Sequence, residues 1–156
     1  PNFLILLGFC LGGVIRGLAV GFIVSMVALF FTHLPIYHFG IMIFTSLMTA
    51  ALFSLAGFTN ALYARSFDDI SIFPTFILTP LTYLGGVFFS IDQLSGSWKL
   101  VSQLNPILYI VNAFRFSFLG FSDVKVNLSI VITLFTTLAL FYLNLFLLKK
   151  GVGIRT

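Results

Sequence analysis

Residues 104–120 read "LNPILYIVNAFRFSFLG". The stretch is apolar enough to be taken for a membrane crossing, yet it carries Asn105, Pro106, Asn112 and Arg115 and is bracketed by helix start and stop signals. Asn105 suits an N-cap, Pro106 the first helical position, and Gly120 the residue just past a helix end. The helix between them has about 14 residues, or roughly 21 Å at 1.5 Å per residue. A bilayer's hydrocarbon core is about 30 Å thick. The stretch is therefore predicted to be a short helix, about 105–119, that enters and leaves the membrane on one face. Irregular backbone at such depth is tolerated only where protein or a water-filled cavity surrounds it.

Outward from this helix, the rest of the chain divides into apolar runs. Of 156 residues, 60% are hydrophobic and only 8% charged, and the mean hydropathy is +1.15. A soluble domain covers its surface with roughly a quarter charged residues, so the composition defines an all-α integral membrane protein. Spans are predicted at about 14–33, 40–63, 70–89 and 126–148. Arg16 interrupts the first apolar run, and an arginine at the bilayer centre costs about 2.5–3.5 kcal/mol on insertion scales. Starting the first span near Arg16 avoids that cost and leaves residues 2–12 at the membrane surface or in an incoming helix.

Charge placement fits four spans. Arg16, Arg65, Lys149, Lys150 and Arg155 then share one side, while Lys99, Arg115 and Lys125 fall on the other. The richer side is predicted to be cytoplasmic. A net charge of +4 carried by scattered residues does not make a nucleic-acid footprint. Cys10, the sole cysteine, excludes an intramolecular disulfide and any paired-cysteine metal motif. No basic region precedes an apolar core as in a cleavable signal peptide. Because the chain opens without Met, in what reads as the middle of an element, it is read as the C-terminal part of a longer protein.

Several features carry possible chemistry. Gly13, Gly17, Gly21 and Ser25 recur every four residues, a smooth ridge that lets membrane helices approach closely; packing within one subunit and a dimer interface both remain open. Pro80 lacks a backbone donor and frees the carbonyl of Phe76, a defect that Thr75 and Thr79 are placed to soften. Ser129, Thr133, Thr136, Thr137 and Asn144 share a helix face, either a packing face or a wall toward a substrate. Tyr109, Asn112 and Arg115 share a face of the short helix, and Asp92 and Asp123 are the carboxylates in reach of Arg115. An ionisable side chain at that depth marks a functional site or a structural ion pair. His33 and His38, five apart without a third ligand, do not make a metal site. Asp68 and Asp69 precede the third span, where they are best placed to cap it. Trp98 occupies an interfacial position. The sequence has no phosphate-binding loop, Ser/His/Asp set or H-E-x-x-H, which points away from ATP hydrolysis or bond cleavage in this chain.

"FDDISIFPTFILTPLTYLGGVFFSIDQL", followed by the short-helix stretch, resembles the permease subunit of type-2 ATP-binding-cassette exporters. Pro80, Tyr83, Leu84, Gly85, Gly86, Phe88 and Phe89 look like that family's end of the fifth span. Asn105, Pro106, Tyr109, Arg115 and Gly120 are similar to its short outer helices, and "GGVIRGLAVG" to the segment leading into the third span. "LSGSW" departs from the pattern, which has a proline after the position of Leu94. The resemblance implies the last four of six spans, a second permease copy forming a homodimer, contact with membrane lipid, and a bacterial inner-membrane location. It also implies a separate cytoplasmic ATPase that binds ATP and Mg, with no cofactor held here. Contacts to that ATPase are expected from the inner surfaces, at Leu11, Arg16, Arg65, Asp68 and Asp69. The short helix, with Asn105, Pro106, Tyr109, Asn112 and Arg115, and the span end at Pro80, Gly85 and Gly86, are the expected outer gate. A hydrophobic, amphipathic or lipid-linked cargo, such as a drug, polysaccharide or glycolipid, would move outward past them. The rival reading is a membrane anchor or assembly protein that transports nothing.

Overall fold

The computed structural model describes residues 1–153, all helix and loop, with no strand among them; Arg155 lies outside the described residues. Three long helices, α1 (Asn2–Phe31), α2 (Phe39–Tyr63) and α7 (Val126–Lys149), are each long and apolar enough to cross a membrane. Between α2 and α7 come α3 (Phe67–Ile72), a π-helical segment (Phe73–Leu78), α4 (Thr79–Tyr83), α5 (Gly96–Gln103) and α6 (Pro106–Leu119). α1, α2 and α7 pack side by side, and α6 fills the space between α2 and α7. One core joins Leu6, Leu55, Phe58 and Leu148 at the Tyr63 end of the bundle. A second joins Ile91, Leu108 and Tyr109 toward the His38 end.

Of the two forms the sequence left open for residues 2–12, α1 takes the incoming helix. It runs unbroken from Asn2 to Phe31, continuous through the predicted start of the span near residue 14. The reason is tertiary. Gly17 abuts Ala50 and Gly13 abuts Ser54 of α2, and the Ser54 hydroxyl donates to the carbonyls of Phe9 and Cys10 at 3.4 Å. This contact lies where residues 2–12 join the predicted span, so the helix pairs with α2 through that junction as far as Gly17. The pairing sets Arg16 beside the middle of α2 rather than at its end. Leu11 lies about one and a half turns nearer the start of α1, and both residues are exposed.

The third predicted span is also altered. α3, the π-segment and α4 form one continuous helical stretch, since the backbone at Phe73 and Thr79 stays right-handed helical with φ −62° and −61°. It covers residues 67–83 rather than 70–89 and measures about 25 Å by the helical rise. Within it the Thr79 N–H donates to the Pro74 carbonyl five residues back, and the Thr79 hydroxyl donates to the same oxygen at 2.9 Å. The wider turn therefore sits just ahead of Pro80, the residue that lacks a donor and crowds the preceding turn. Thr79 bonds locally, as the sequence suggested, and its acceptor is the Pro74 carbonyl.

α7 uses its polar stripe for packing. Ser129, Thr133, Thr137 and Asn144 are buried. Thr133, Thr136 and Thr137 donate to carbonyls of their own helix at 2.8 Å. Asn144 bridges to α2, accepting from the Thr59 hydroxyl at 2.9 Å and donating to the Leu55 carbonyl at 3.0 Å.

Candidate functional site

The short helix α6 forms with the caps its sequence implies. The Asn105 side chain accepts from the Ile107 N–H at 3.0 Å, Pro106 opens the helix, and Gly120 closes it in the left-handed conformation at φ 77°. At 14 residues it is about 21 Å long; its first turn, Ile107 to Ile110, is buried on all sides, and Asn112, Ala113 and Ser117 are buried beyond it.

Both ends of α6 are tied to the longer helices. At its start, the Asn105 amide donates to the Leu81 carbonyl of α4, and the Tyr109 hydroxyl donates to the Gln103 carbonyl at 2.6 Å. Gly85 and Gly86 lie against this first turn. A Cβ on Gly85 would come 2.7 Å from Cγ2 of Ile107, and one on Gly86, at φ +79°, would come 3.1 Å from Cδ1 of Leu108. Glycine is needed at both, at Gly85 for space and at Gly86 for conformation as well. At the far end, the Ser117 carbonyl accepts from the N–H groups of Tyr37 and His38 at 2.9 and 3.0 Å. The His38 ring stacks on Phe116 with centroids 4.5 Å apart.

Arg115 locks the middle. It donates to Oδ2 of Asp123 at 2.7 Å and to the Gly86 carbonyl at 2.6 Å, with side chains only 16% and 12% exposed for Arg115 and Asp123. Of the two carboxylates considered, the structure selects Asp123; Asp92 pairs with Lys99 at 3.1 Å on the surface. The same Asp123 oxygen accepts from the Ile91 N–H at 3.2 Å, and the Asp123 N–H donates to Oδ1 of buried Asn112 at 2.8 Å. Asn112 completes the set by donating to the Leu108 carbonyl at 2.8 Å. One ionic network thus binds the glycine turn after α4, the short 3₁₀ turn at Ile91, α6 and the loop into α7. Asp123 is one of the two partners expected for Arg115, whereas Ile91 is a member the sequence reading did not place in the site. Its signal is weak, one apolar residue in a loop.

The other predicted residues fall elsewhere. Arg65 lies in the turn between α2 and α3, and Asp68 and Asp69 in the first turn of α3. There Ser66 and Asp69 make a capping box, with the Asp69 carboxylate accepting from the Arg65 and Ser66 N–H groups at 2.9 and 3.1 Å. Those hydrogen bonds, the one from Arg65 foremost, hold the Asp69 carboxyl below its usual pKa. Of the glycine ridge, Gly13 and Gly17 touch α2, whereas a Cβ on Gly21 would meet nothing within 4 Å. Past Gly17 the two helices diverge around a cavity of about 760 Å³, whose walls include Phe22, Phe53, Phe114 and Phe118. No group of His, Cys, Asp and Glu among the described residues is arranged to hold a metal ion.

Long apolar helices and a buried ionic network around a short apolar helix define an all-α membrane protein. The family model for the ABC-2 type transporter matches residues 1–119, and the chain belongs to that family. Over all 156 residues it is 42% identical to the inner membrane transport permease YadH of Escherichia coli K12, covering 61% of that protein. It is 30% identical over 100 residues to nodulation protein J of Rhizobium meliloti strain 1021, covering 64% of this chain and 38% of that one. Nodulation protein J of Neorhizobium galegae is 26% identical over 133 residues, covering 81% and 49%. No solved structure matches. The chain thus spans about three-fifths of the length of the YadH protein it matches.

Proposed function

We propose that these residues form part of the permease of an ATP-driven exporter in a bacterial inner membrane. The permease moves a hydrophobic, amphipathic or lipid-linked molecule outward. The observation that carries this reading is α6: a capped helix of about 21 Å, too short to cross, fastened at both ends and in the middle to the ends of longer helices. Such a helix suits a gate, because it closes one side of the bundle yet is held by a few polar bonds. An anchor has no evident use for so specific a latch. The family membership and the similarity to a protein named as an inner membrane transport permease support the same reading.

In this scheme the Tyr63 end of the bundle faces the cytoplasm. A separate ABC ATPase, binding ATP and Mg, docks there against Arg65 and the first turn of α3 with Asp68 and Asp69. Its closure shifts the inner ends of α1, α2 and the 67–83 helix. A second permease copy completes the path, and α6 with Gly85 and Gly86 forms the outer gate. The π-segment ahead of Pro80 is the place where the 67–83 helix bends. Residues here bind, guide and exclude water; none does covalent chemistry.

The test uses the full-length permease with its ATPase, in a Cys10→Ser background. Gln103→Cys and Phe121→Cys, flanking α6, are both expected to react with an impermeant thiol reagent added outside the cell. Ala64→Cys is expected to crosslink to the ATPase. Reaction at Phe121→Cys only after permeabilisation would make α6 a crossing helix and overturn the gate. Capture of the ATPase from Ser95→Cys rather than Ala64→Cys would overturn the orientation.

A further inference from the structure

We infer that Arg16 is the docking point for a membrane helix from outside residues 1–156, one that carries an aspartate or glutamate at mid-membrane depth. Arg16 stands near the middle of α1, which runs from Asn2 to Phe31. It is about 21 Å by the helical rise from either end. The antiparallel contacts of Gly13 with Ser54 and Gly17 with Ala50 set it level with the centre of α2, which runs from Phe39 to Tyr63. The side chain is exposed. The ion pairs found among the described residues belong to Lys99 and Arg115. A cation at that depth in a spanning helix is rare and ordinarily pairs.

A second copy of these residues has no carboxylate to offer at that depth. The chain has four acidic side chains. Asp68 and Asp69 lie in the first turn of α3 beside the Tyr63 end. Asp92 and Asp123 lie in the loops of the other end, already bonded to Lys99 and Arg115. The partner must therefore come from elsewhere, and the YadH relative, of which this chain covers 61%, has length for further helices. The surface around Arg16 suits one. Gly8, Gly12 and Arg16 follow one another at four-residue intervals on one face, with Ala19 beside them. Cβ atoms added at Gly8 or Gly12 meet nothing within 4 Å. This second smooth track, separate from the Gly13–Gly17 contact with α2, lets another helix lie close enough for a carboxylate to reach the guanidinium.

The inference needs only that the chain spans a membrane, and its test measures assembly, so a failed export assay does not touch it. Arg16→Glu, Arg16→Met and Arg16→Lys are made in the full-length permease, and monodisperse protein is quantified after mild detergent extraction. Arg16→Glu is expected to lower that yield at least about tenfold, with Arg16→Lys restoring most of it. Second-site revertants of Arg16→Glu are then selected by random mutagenesis. They are expected to change one Asp or Glu outside residues 1–156 to a neutral or basic residue. Wild-type yield from both Arg16→Glu and Arg16→Met would overturn the inference and leave Arg16 without a helix partner. Revertants confined to residues 1–156 would overturn it in favour of a partner within this stretch.

Discussion

Removing the Arg115 side chain should release the short helix. Arg115→Ala leaves Asp123 with its charge and a single remaining donor, the Ile91 N–H at 3.2 Å. Breaking a buried ion pair from one side costs about 3–5 kcal/mol. Both side chains keep slight exposure, at 16% and 12%, and Asp123 keeps one bond, so the lower end, about 3 kcal/mol, is appropriate. That corresponds to a rise on the order of 10²-fold in the fraction of molecules with α6 detached. Arg115→Lys retains charge but cannot serve Asp123 and the Gly86 carbonyl with one planar fork; losing one charge-assisted bond costs about 1.5 kcal/mol, roughly tenfold. Combining Arg115→Ala with Asp123→Asn removes the stranded charge while keeping an acceptor for Ile91, and should recover about tenfold of the loss.

The assay is the labelling rate of Ser117→Cys, a near-isosteric change at a side chain with 0% exposure, in a Cys10→Ser background with the permease in membranes. Where opening is rapid relative to labelling, the rate tracks the open fraction. The expected order, fastest first, is Ala, then the double variant and Lys at about the same rate, then the parent. Equal labelling of the parent and Arg115→Ala would refute the latch. Equal acceleration by Ala and Lys would show that the shared fork, not charge alone, holds Asp123 and Gly86; labelling of Lys at the parent's rate would show the reverse. Export should decline in the same order as latch strength, with Arg115→Ala below Arg115→Lys.

The remaining predictions concern packing. Gly85→Ala should destabilise by about 1–3 kcal/mol through overpacking, visible as a lower thermal midpoint in detergent, and Ile107→Val should relieve part of it because Cγ2 and its neighbours gain room to shift. Gly17→Leu should impair pairing of α1 with α2, measured by the yield of monodisperse protein, whereas Gly21→Leu and Leu18→Ile, at the cavity, should be mild; equal losses from all three would remove the distinction. Asn144→Leu deletes the interhelical bonds to Thr59 and Leu55 and should cost about 0.6–1.7 kcal/mol, the range for such bonds in membranes. An unchanged midpoint would show that lipid or another helix compensates.

Much of this architecture is legible in the residues because the signals involved are local. Hydropathy over about twenty positions marks a span, and α2 and α7 run within a residue of the sequence expectation. Caps concern the backbone groups of a single turn, so Asn105, Pro106 and Gly120 locate α6 without knowledge of its surroundings. The polar face of α7 was equally visible, but not its use, since a helix face acquires meaning from what lies against it. Only tertiary structure decides that Arg115 takes Asp123 and leaves Asp92 to Lys99, because two loops of similar composition compete and their positions depend on how α6 docks. Likewise the glycine ridge is one motif in sequence but two environments in space: Gly13 and Gly17 meet α2, and Gly21 faces the cavity. The choice between a surface segment and an incoming helix for residues 2–12 has the same origin. The insertion cost of an arginine is a property of a helix alone in lipid, whereas the path of α1 is set by the neighbour that it grips through Gly13, Gly17 and Ser54.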